Sequence, residues 1–262
     1  MTASDHDELV HLDVAGGVAT ITLDSPANRN ALSAQLRRQL LACLDTAIAD
    51  PAARVIVLTH TGRVFCSGMD LKESRGAGAQ QQGVTEVPRI LQTIWESPTP
   101  VIARVAGPAR AGGVGLVAAC DVAVAAAEVT FAFTEVRIGV VPAVISVVVL
   151  PRLTARAGHE LFLTGETFDA VRAADIGLVN SAVPAEGLDA EVARYAEMFR
   201  LGAPGALAAT KAMLRGDRST PMADRFAEML ELSAGHFAGA EGQEGIRAFA
   251  EKRPPAWAAQ PG

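Results

Sequence analysis

The sequence predicts an α/β fold followed by a largely helical C-terminal region. Up to about residue 140, short apolar runs with the length of buried strands alternate with turns and with stretches of helical periodicity. Beyond Ala143, apolar residues recur almost entirely at helical spacing. This change along the chain indicates a mixed core and a helical tail that packs on the core or on a neighbouring subunit.

The first predicted element is a hairpin, with strands at 10–14 and 18–23 joined at Gly16-Gly17. Ser33 is suited to cap a helix that extends to Asp50-Pro51, because leucines recur along it at helical spacing. The other elements predicted before residue 140 are strands at 55–59, 101–105, 122–126 and 129–133, a helix at 87–96, and a small-residue helix that opens at 111–113.

The second half contains the predicted helices. They cover residues 144–154, 158–163, 170–174, 187–201, 205–215, 222–237 and 242–249. A Gly-, Ala- and Gln-rich stretch in the first half, 72–84, predicts a mobile loop, part of which (76–83) we expect to order when a ligand binds.

Composition excludes several classes of protein. The 262 residues carry a net charge of −6 at pH 7, so we expect no nucleic-acid partner, and we interpret the densest basic spot, Arg37-Arg38, as a solvated helix face. Three scattered cysteines predict neither a disulfide framework nor a zinc site. The polar N-terminus predicts no signal peptide, and the longest apolar run, 138–150, is too short to span a membrane. We therefore expect a cytoplasmic protein with no membrane partner.

Common catalytic motifs are missing from the sequence. The glycines between 107 and 115 have the wrong spacing for a dinucleotide turn, and there is no phosphate loop and no nucleophile elbow. The five histidines are dispersed, which argues against a metal site. The remaining chemistry would rely on backbone groups and carboxylates.

Two glycine-rich segments, 65–72 and 107–115, are candidates for such backbone chemistry. Gly68 allows close approach to a ligand, so that the Met69 amide could point into a pocket. Gly112, where a helix opens, offers an unpaired N–H group at the positive end of the helix dipole. Two such amides can form an oxyanion hole, although two purely structural glycine turns explain the same residues equally well.

The order and spacing of seven segments resemble the crotonase (enoyl-CoA hydratase/isomerase) superfamily over nearly the whole chain. Thr134 departs from the family pattern, which has proline at that position. The matching segments are Asn30-Ala31-Leu32-Ser33, 65–73, 105–121, 131–142, Leu163-Thr164-Gly165, 173–179 and 249–253.

The resemblance implies a spiral ββα core that binds acyl-CoA over residues 1–195 and a helical trimerisation region over 196–262. It implies a homotrimer or a dimer of trimers, and no cofactor apart from the coenzyme A that enters as part of the substrate. It places the oxyanion hole at the Met69 and Gly112 amides. The residues implied to bind substrate or CoA are Arg29, Ala31, Ser67, Gly68, Asp70, Leu71, Gly113, Gly115, Phe249 and Lys252, the last two often acting from a neighbouring subunit.

The carboxylates distinguish between the reactions of the family. Glu135 matches one of two glutamates that hydratases of this family carry, and we predict that it is the acid/base; the alternative is an ion pair with Arg137. The second glutamate would fall at residue 115, where this sequence has glycine, which has no side chain to transfer a proton.

One glutamate is compatible with several reactions. Isomerisation of a 3-enoyl-CoA to a 2-enoyl-CoA needs only one base, and on this ground isomerisation leads. A weaker resemblance of residues 112–117, 134–137 and 142–146 to bacterial methylglutaconyl- and isohexenylglutaconyl-CoA hydratases favours addition of water to a branched enoyl-CoA. We predict a hydratase of fatty-acid or branched-chain degradation. The alternatives are an isomerase, other crotonase chemistry, and a homologue that binds acyl-CoA without turning it over.

Overall fold

A six-stranded sheet organises the chain in a computed structural model that describes residues 8–73, 85–216 and 220–258. Its strand order is β1-β2-β3-β4-β6-β9; β1 and β2 form an antiparallel hairpin, and every other neighbouring pair is parallel. These strands are β1 (Val10–Ala15), β2 (Val18–Leu23), β3 (Val55–His60), β4 (Val101–Val105), β6 (Val122–Ala126) and β9 (Ser181–Val183).

A second sheet of three short strands lies beside the segments that form the site. Its strands are β5 (Ala109–Arg110), β7 (Thr130–Ala132) and β8 (Phe168–Asp169), with β7 in the centre. β5 and β7 are parallel, so the chain segments that follow them leave the sheet at the same edge.

The helices account for most of the remaining described chain. They are α1 (Ala34–Ala49), α2 (Glu86–Glu96), α3 (Gly112–Ala119), α4 (Ala143–Val149), α5 (Ala155–Thr164), α6 (Ala170–Asp175), α7 (Leu188–Leu201), α8 (Pro204–Leu214), α9 (Met222–Ala238) and α10 (Ala240–Glu251). The predicted α/β class is therefore confirmed, as is the helical C-terminal region. The predicted division between residues 195 and 196 falls inside α7, which packs on β3, β4 and β6, and it stays a prediction.

Helix α1 begins as the sequence predicts, because the Ser33 side chain accepts a hydrogen bond from the Leu36 amide at 3.3 Å. The interpretation of Arg37-Arg38 as a solvated face is wrong for Arg37. That side chain is 4% exposed and bonds both to Glu86, at 2.6 Å, and to the Leu32 carbonyl. Because a guanidinium carries several donors around a flat group, the Glu86 carboxylate and the Leu32 carbonyl can satisfy it at once.

The second half is less helical than predicted, because it contains two short strands and because one predicted helix ends early. β9 lies at an edge of the large sheet and β8 at an edge of the small one, and neither exceeds three residues, too short to show a strand period. The helix predicted over 144–154 ends at Val149, since Pro151 has no N–H group to continue the helical hydrogen bonds.

The C-terminal helices leave much apolar surface uncovered within one chain. No residue of α9 is buried, and Phe226 and Leu230 on it are 69% and 70% exposed. The segment after α10 is tied back to the core, because Trp257 donates to the Leu201 carbonyl and Arg54 donates to the Trp257 carbonyl.

None of the helices in the described ranges has both the length and the hydrophobicity that crossing a bilayer requires. Of the loop predicted to be mobile, 72–84, residues 74–84 lie outside the described residues, and they include the part expected to order when a ligand binds, 76–83.

Candidate active site

The two glycine-rich segments lie against each other as adjacent backbone strands. The Phe65 amide donates to the Pro108 carbonyl at 3.0 Å, and the Arg110 amide donates to the Cys66 carbonyl at 2.9 Å. On the other side, the Leu32 amide donates to the Gly68 carbonyl at 2.8 Å. These bonds fix the segment that ends at Met69 between the loop before α1 and the loop that leads into α3.

Both glycines at this junction are required by close backbone contact. Gly68 has φ +88°, and a Cβ atom there would lie 2.9 Å from the Ala111 Cβ and 3.3 Å from the Gly112 nitrogen. A Cβ on Gly112 would lie 2.9 Å from a methyl group of Leu32. The backbone after Gly68 and the first turn of α3 are thus neighbours, so the structure brings together the two segments in which the resemblance places the hole.

The amides of Met69 and Gly112 are available to a ligand. Within the described ranges, neither N–H group donates to a backbone or side-chain acceptor. Gly112 is the first residue of α3, whose opening N–H groups have no acceptor inside the helix. The preceding Ala111 has φ +50° and ψ −119°, an unfavourable conformation for alanine that marks a functionally constrained backbone. An anionic oxygen held between two such amides is the arrangement of an oxyanion hole.

Glu135 lies on the short turn Thr134–Ile138 that follows β7, close in the fold to the start of α3. The two segments are connected where the Ala111 amide donates to the Ala132 carbonyl at 3.1 Å. The Oε2 atom of Glu135 is buried and has no hydrogen-bond partner among the described residues. Burial raises the pKa of this carboxyl, and a hydrogen bond from its own backbone amide offsets part of the increase.

The predicted alternative role for Glu135, an ion pair with Arg137, does not occur in the described structure. Arg137 instead donates to the Thr164 carbonyl at 3.2 Å. A buried carboxylate oxygen without a partner costs free energy, and such groups concentrate at functional sites.

The volume beside Gly115 is occupied by apolar side chains. A Cβ atom on Gly115 would lie 2.7 Å from Cγ2 of Ile145 and 3.5 Å from Cδ1 of Leu91. Ile145 and Leu91 are 3% and 2% exposed. Among the described residues, the three atoms nearest to that Cβ position belong to Ile145 and Leu91 and none to a carboxylate, so Gly115 lies against the neighbouring helices α4 and α2. Its predicted role in substrate binding stays untested.

The predicted CoA-binding residues before α1 and around Gly68 belong to one connected set of loops. The Ser67 amide donates to the Arg29 carbonyl at 3.2 Å, and Ala31 is 5% exposed. Burial alone would raise the pKa of Asp70, but hydrogen bonds from the Asn28 side chain and the Lys72 amide lower it overall. These residues lie together beside the proposed hole.

The remaining predicted site residues are arranged differently. Gly113 is needed for packing, because a Cβ atom there would strike the backbone of Cys66. Leu71 is 56% exposed at the end of its loop. Phe249 is 87% exposed on α10, a helix that packs against α9, and Lys252 is exposed just beyond that helix. Their roles in CoA binding stay predictions.

Sequence reasoning missed the part played by Asn30. Its side chain is fully buried, accepts from the Ser25 amide at 2.7 Å, and donates to the carbonyls of Thr61 and Val64. It therefore joins the loop before α1 to the segment that leads to Met69. The available signal was an asparagine in a turn-rich loop, since asparagine tolerates the left-handed region better than most residues, and Asn30 adopts φ +51°.

Other chemistries find little support in the described ranges. No group of three or more His, Cys, Asp or Glu side chains there could hold a metal ion. Burial raises the pKa of the Cys66 and Cys120 thiols to about 12, which disfavours the nucleophilic thiolate form.

Comparison with known proteins gives one consistent result. The family model described as Enoyl-CoA hydratase/isomerase matches residues 13–260. A Rhodobacter capsulatus protein named "Probable enoyl-CoA hydratase" is 36% identical over 251 residues, which cover 94% of this chain and 96% of that protein. The crystal structure of an enoyl-CoA hydratase from Mycobacterium smegmatis has a TM-score of 0.90 at 32% identity and covers 97% of this chain and 100% of its own.

A further solved structure, of an enoyl-CoA hydratase from Mycobacterium avium, is 44% identical with a TM-score of 0.72 and covers 96% of this chain and 99% of that chain. The predicted crotonase-like fold is confirmed by these neighbours. Together with the match over residues 13–260, they show that the chain belongs to the enoyl-CoA hydratase/isomerase family of the crotonase superfamily.

Proposed function

We propose that this chain is an enzyme that adds water to an α,β-unsaturated acyl-CoA, with its thioester oxygen held by the Met69 and Gly112 amides. The observation that carries the proposal is Glu135, whose buried Oε2 has no partner among the described residues and whose segment is bonded to the start of α3. A carboxyl group with a raised pKa is suited to give and take protons near neutral pH.

The proposed hydration proceeds in two balanced steps. The Glu135 carboxylate takes a proton from water while the water oxygen bonds to C3, and the π electrons of the C2–C3 bond move to form an enolate. The enolate oxygen is held by the two amides, and one such donor stabilises the transition state by about 3 kcal/mol. The protonated Glu135 then delivers its proton to C2, which restores the thioester carbonyl.

Isomerisation of a 3-enoyl-CoA is the second candidate, and Ile145 favours it. Since Ile145 fills the volume beside Gly115, a side chain at residue 115 cannot assist a water molecule from that side. Isomerisation needs no water: Glu135 takes a proton from C2, the electrons shift through the enolate, and the same proton returns to C4. The names of the relatives support hydration as the first proposal.

Recognition of the CoA moiety is proposed for the loops beside the hole. Arg29, Ser67 and Asp70 lie on these loops, and no cofactor other than the CoA of the substrate is required by the two reactions. We also propose a homotrimer or a dimer of trimers, in which Phe249 and Lys252 approach the substrate of a neighbouring subunit. The exposed apolar residues of α9 and α10 support such an assembly, because an apolar surface of this kind is usually covered.

The proposed function is tested with three substrates. Purified protein is incubated with crotonyl-CoA, a 3-enoyl-CoA and 3-methylglutaconyl-CoA, and the absorbance of the conjugated enoyl thioester is followed. Loss of absorbance indicates hydration, and a gain from the 3-enoyl substrate indicates isomerisation.

Glu135→Gln is expected to abolish either reaction while binding of a CoA thioester, measured by calorimetry, is retained. Unchanged turnover in this variant would contradict the role of Glu135. Binding without turnover in the wild type would leave the non-catalytic alternative. Failure to bind any CoA thioester would refute the whole proposal. A cytoplasmic location and a part in fatty-acid or branched-chain degradation stay predictions from sequence.

A further inference from the structure

We infer that Ile145 is a specificity-determining residue, which restricts this site to one carboxylate by closing the position beside Gly115. The inference rests on the proposed function, because it concerns which of the two Glu135 reactions the site favours. It is drawn from the contact between α3 and α4.

The first step concerns where a side chain at residue 115 would point. Gly115 lies one helical turn after Gly112 on α3, so the two residues share a face and their Cβ positions would be about 5–6 Å apart. The Cβ direction of residue 115 leads to Ile145 on α4, the helix that follows the turn carrying Glu135. A side chain at 115 would thus enter the space between α3 and α4, one turn from the Gly112 amide.

The second step concerns whether Ile145 could move aside. A Cβ atom at 115 would lie 2.7 Å from Cγ2 and 3.3 Å from Cβ of Ile145, so it would meet the branch point and not a flexible end. A β-branched side chain in a helix has essentially one rotamer, and Ile145 is 3% exposed within the packed core. Glycine is therefore required at 115 as long as isoleucine occupies 145.

Hydration and isomerisation make different demands on the groups beside the hole. Addition of water requires a base for the water and an acid for C2, and a second polar group to hold the water assists it. Transfer of a proton from C2 to C4 requires one carboxylate and no water. Because Ile145 and Leu91 fill the position beside Gly115, one turn from Gly112, no polar side chain at residue 115 can hold the water, which disfavours hydration more than isomerisation. We expect wild-type protein to hydrate with one carboxylate and to isomerise 3-enoyl-CoA at a comparable rate.

The test introduces a carboxylate while making room for it. Gly115→Glu/Ile145→Ala is compared with Gly115→Gln/Ile145→Ala, which has nearly the same shape but cannot ionise. The ratio of the hydration rate of crotonyl-CoA to the isomerisation rate of a 3-enoyl-CoA is measured for both. We expect the ratio to be about 10²-fold higher for the glutamate variant, the lower end of the effect of a positioned acid or base. Equal ratios in the two variants would overturn the inference.

A stability cycle tests the steric part without activity. Gly115→Ala alone is expected to lower the melting temperature, and to lower it much less in the Ile145→Ala background. An equal loss in both backgrounds would overturn the inference. This measurement decides the steric part even if the glutamate variant fails to fold. Absence of any turnover in the wild type would instead refute the proposed function, which keeps the two failures distinct.

Discussion

Replacing Gly68 by alanine tests the geometry of the proposed hole. The left-handed backbone at φ +88° costs a residue with a side chain about 1–2 kcal/mol. The new Cβ would lie 2.9 Å from the Ala111 Cβ, 3.1 Å from the Arg110 carbonyl oxygen and 3.3 Å from the Gly112 nitrogen. These atoms belong to the backbone or are attached directly to it, so relief requires a backbone shift that costs about 1–3 kcal/mol more.

We therefore expect Gly68→Ala to lower the free energy of unfolding by about 2–5 kcal/mol, measured by urea denaturation. If the protein relaxes by moving the Met69 segment away from Gly112, one hole donor is misplaced. The expected loss in kcat is then about 10²–10³-fold, with a smaller change in KM.

The matched control is Gly16→Ala in the β1–β2 hairpin. Gly16 also has a positive φ, +57°, but a Cβ atom there would meet nothing within 4 Å. This control should lose only about 1 kcal/mol and keep its kinetic constants. A Gly68→Ala variant that is as stable as Gly16→Ala and as active as the wild type would contradict this geometry.

Three further predictions concern buried charges. Because burial raises the pKa of Glu135 above 4.5, its base form is lost as the pH falls through the raised value, and we expect kcat/KM to decline on the acid side from a pH above 4.5. For the same reason the ionised Glu135 destabilises the fold at a pH above its raised pKa but not at a pH below 4.5. Glu135→Gln should therefore raise the melting temperature at pH 8 and leave it unchanged at pH 4. Lys211 is 8% exposed and bonds Asp121 at 2.6 Å, so Lys211→Ala should cost about 3–5 kcal/mol in urea denaturation, and a loss below 1 kcal/mol would contradict this.

Much of the fold followed from periodicity. The strand at 101–105 and the strand at 122–126 have the predicted bounds because each is a buried run of apolar residues between clear turns. The capped helix α1 was predicted for the right physical reason, a serine oxygen that accepts an amide hydrogen bond. Edge strands such as β9 were missed because three half-buried residues show no pattern of their own.

Long-range contacts could not be read from local pattern. The sequence indicated that Gly115 has no carboxylate, but only the fold shows that Ile145, thirty residues later, fills the space beside it. Arg37 resembled a surface charge because its partner, Glu86, lies on another helix. Oε2 of Glu135 has no partner among the described residues, and Arg137 bonds instead to a carbonyl of α5. A local sequence motif does not encode this contact.

Enolate formation by Glu135 and the two hole amides is tested most directly by exchange of the protons at C2 of a saturated acyl-CoA, such as butyryl-CoA, in D₂O. This exchange needs the enolate hole and Glu135 but neither water addition nor double-bond migration, so it is independent of which reaction the enzyme favours. Deuterium incorporation is followed by NMR for the wild type, for Glu135→Gln and for Glu231→Gln, which alters an exposed glutamate on α9. We predict exchange in the wild type and in Glu231→Gln and a loss of at least about 10²-fold in Glu135→Gln. Exchange in Glu135→Gln at the wild-type rate would contradict the account.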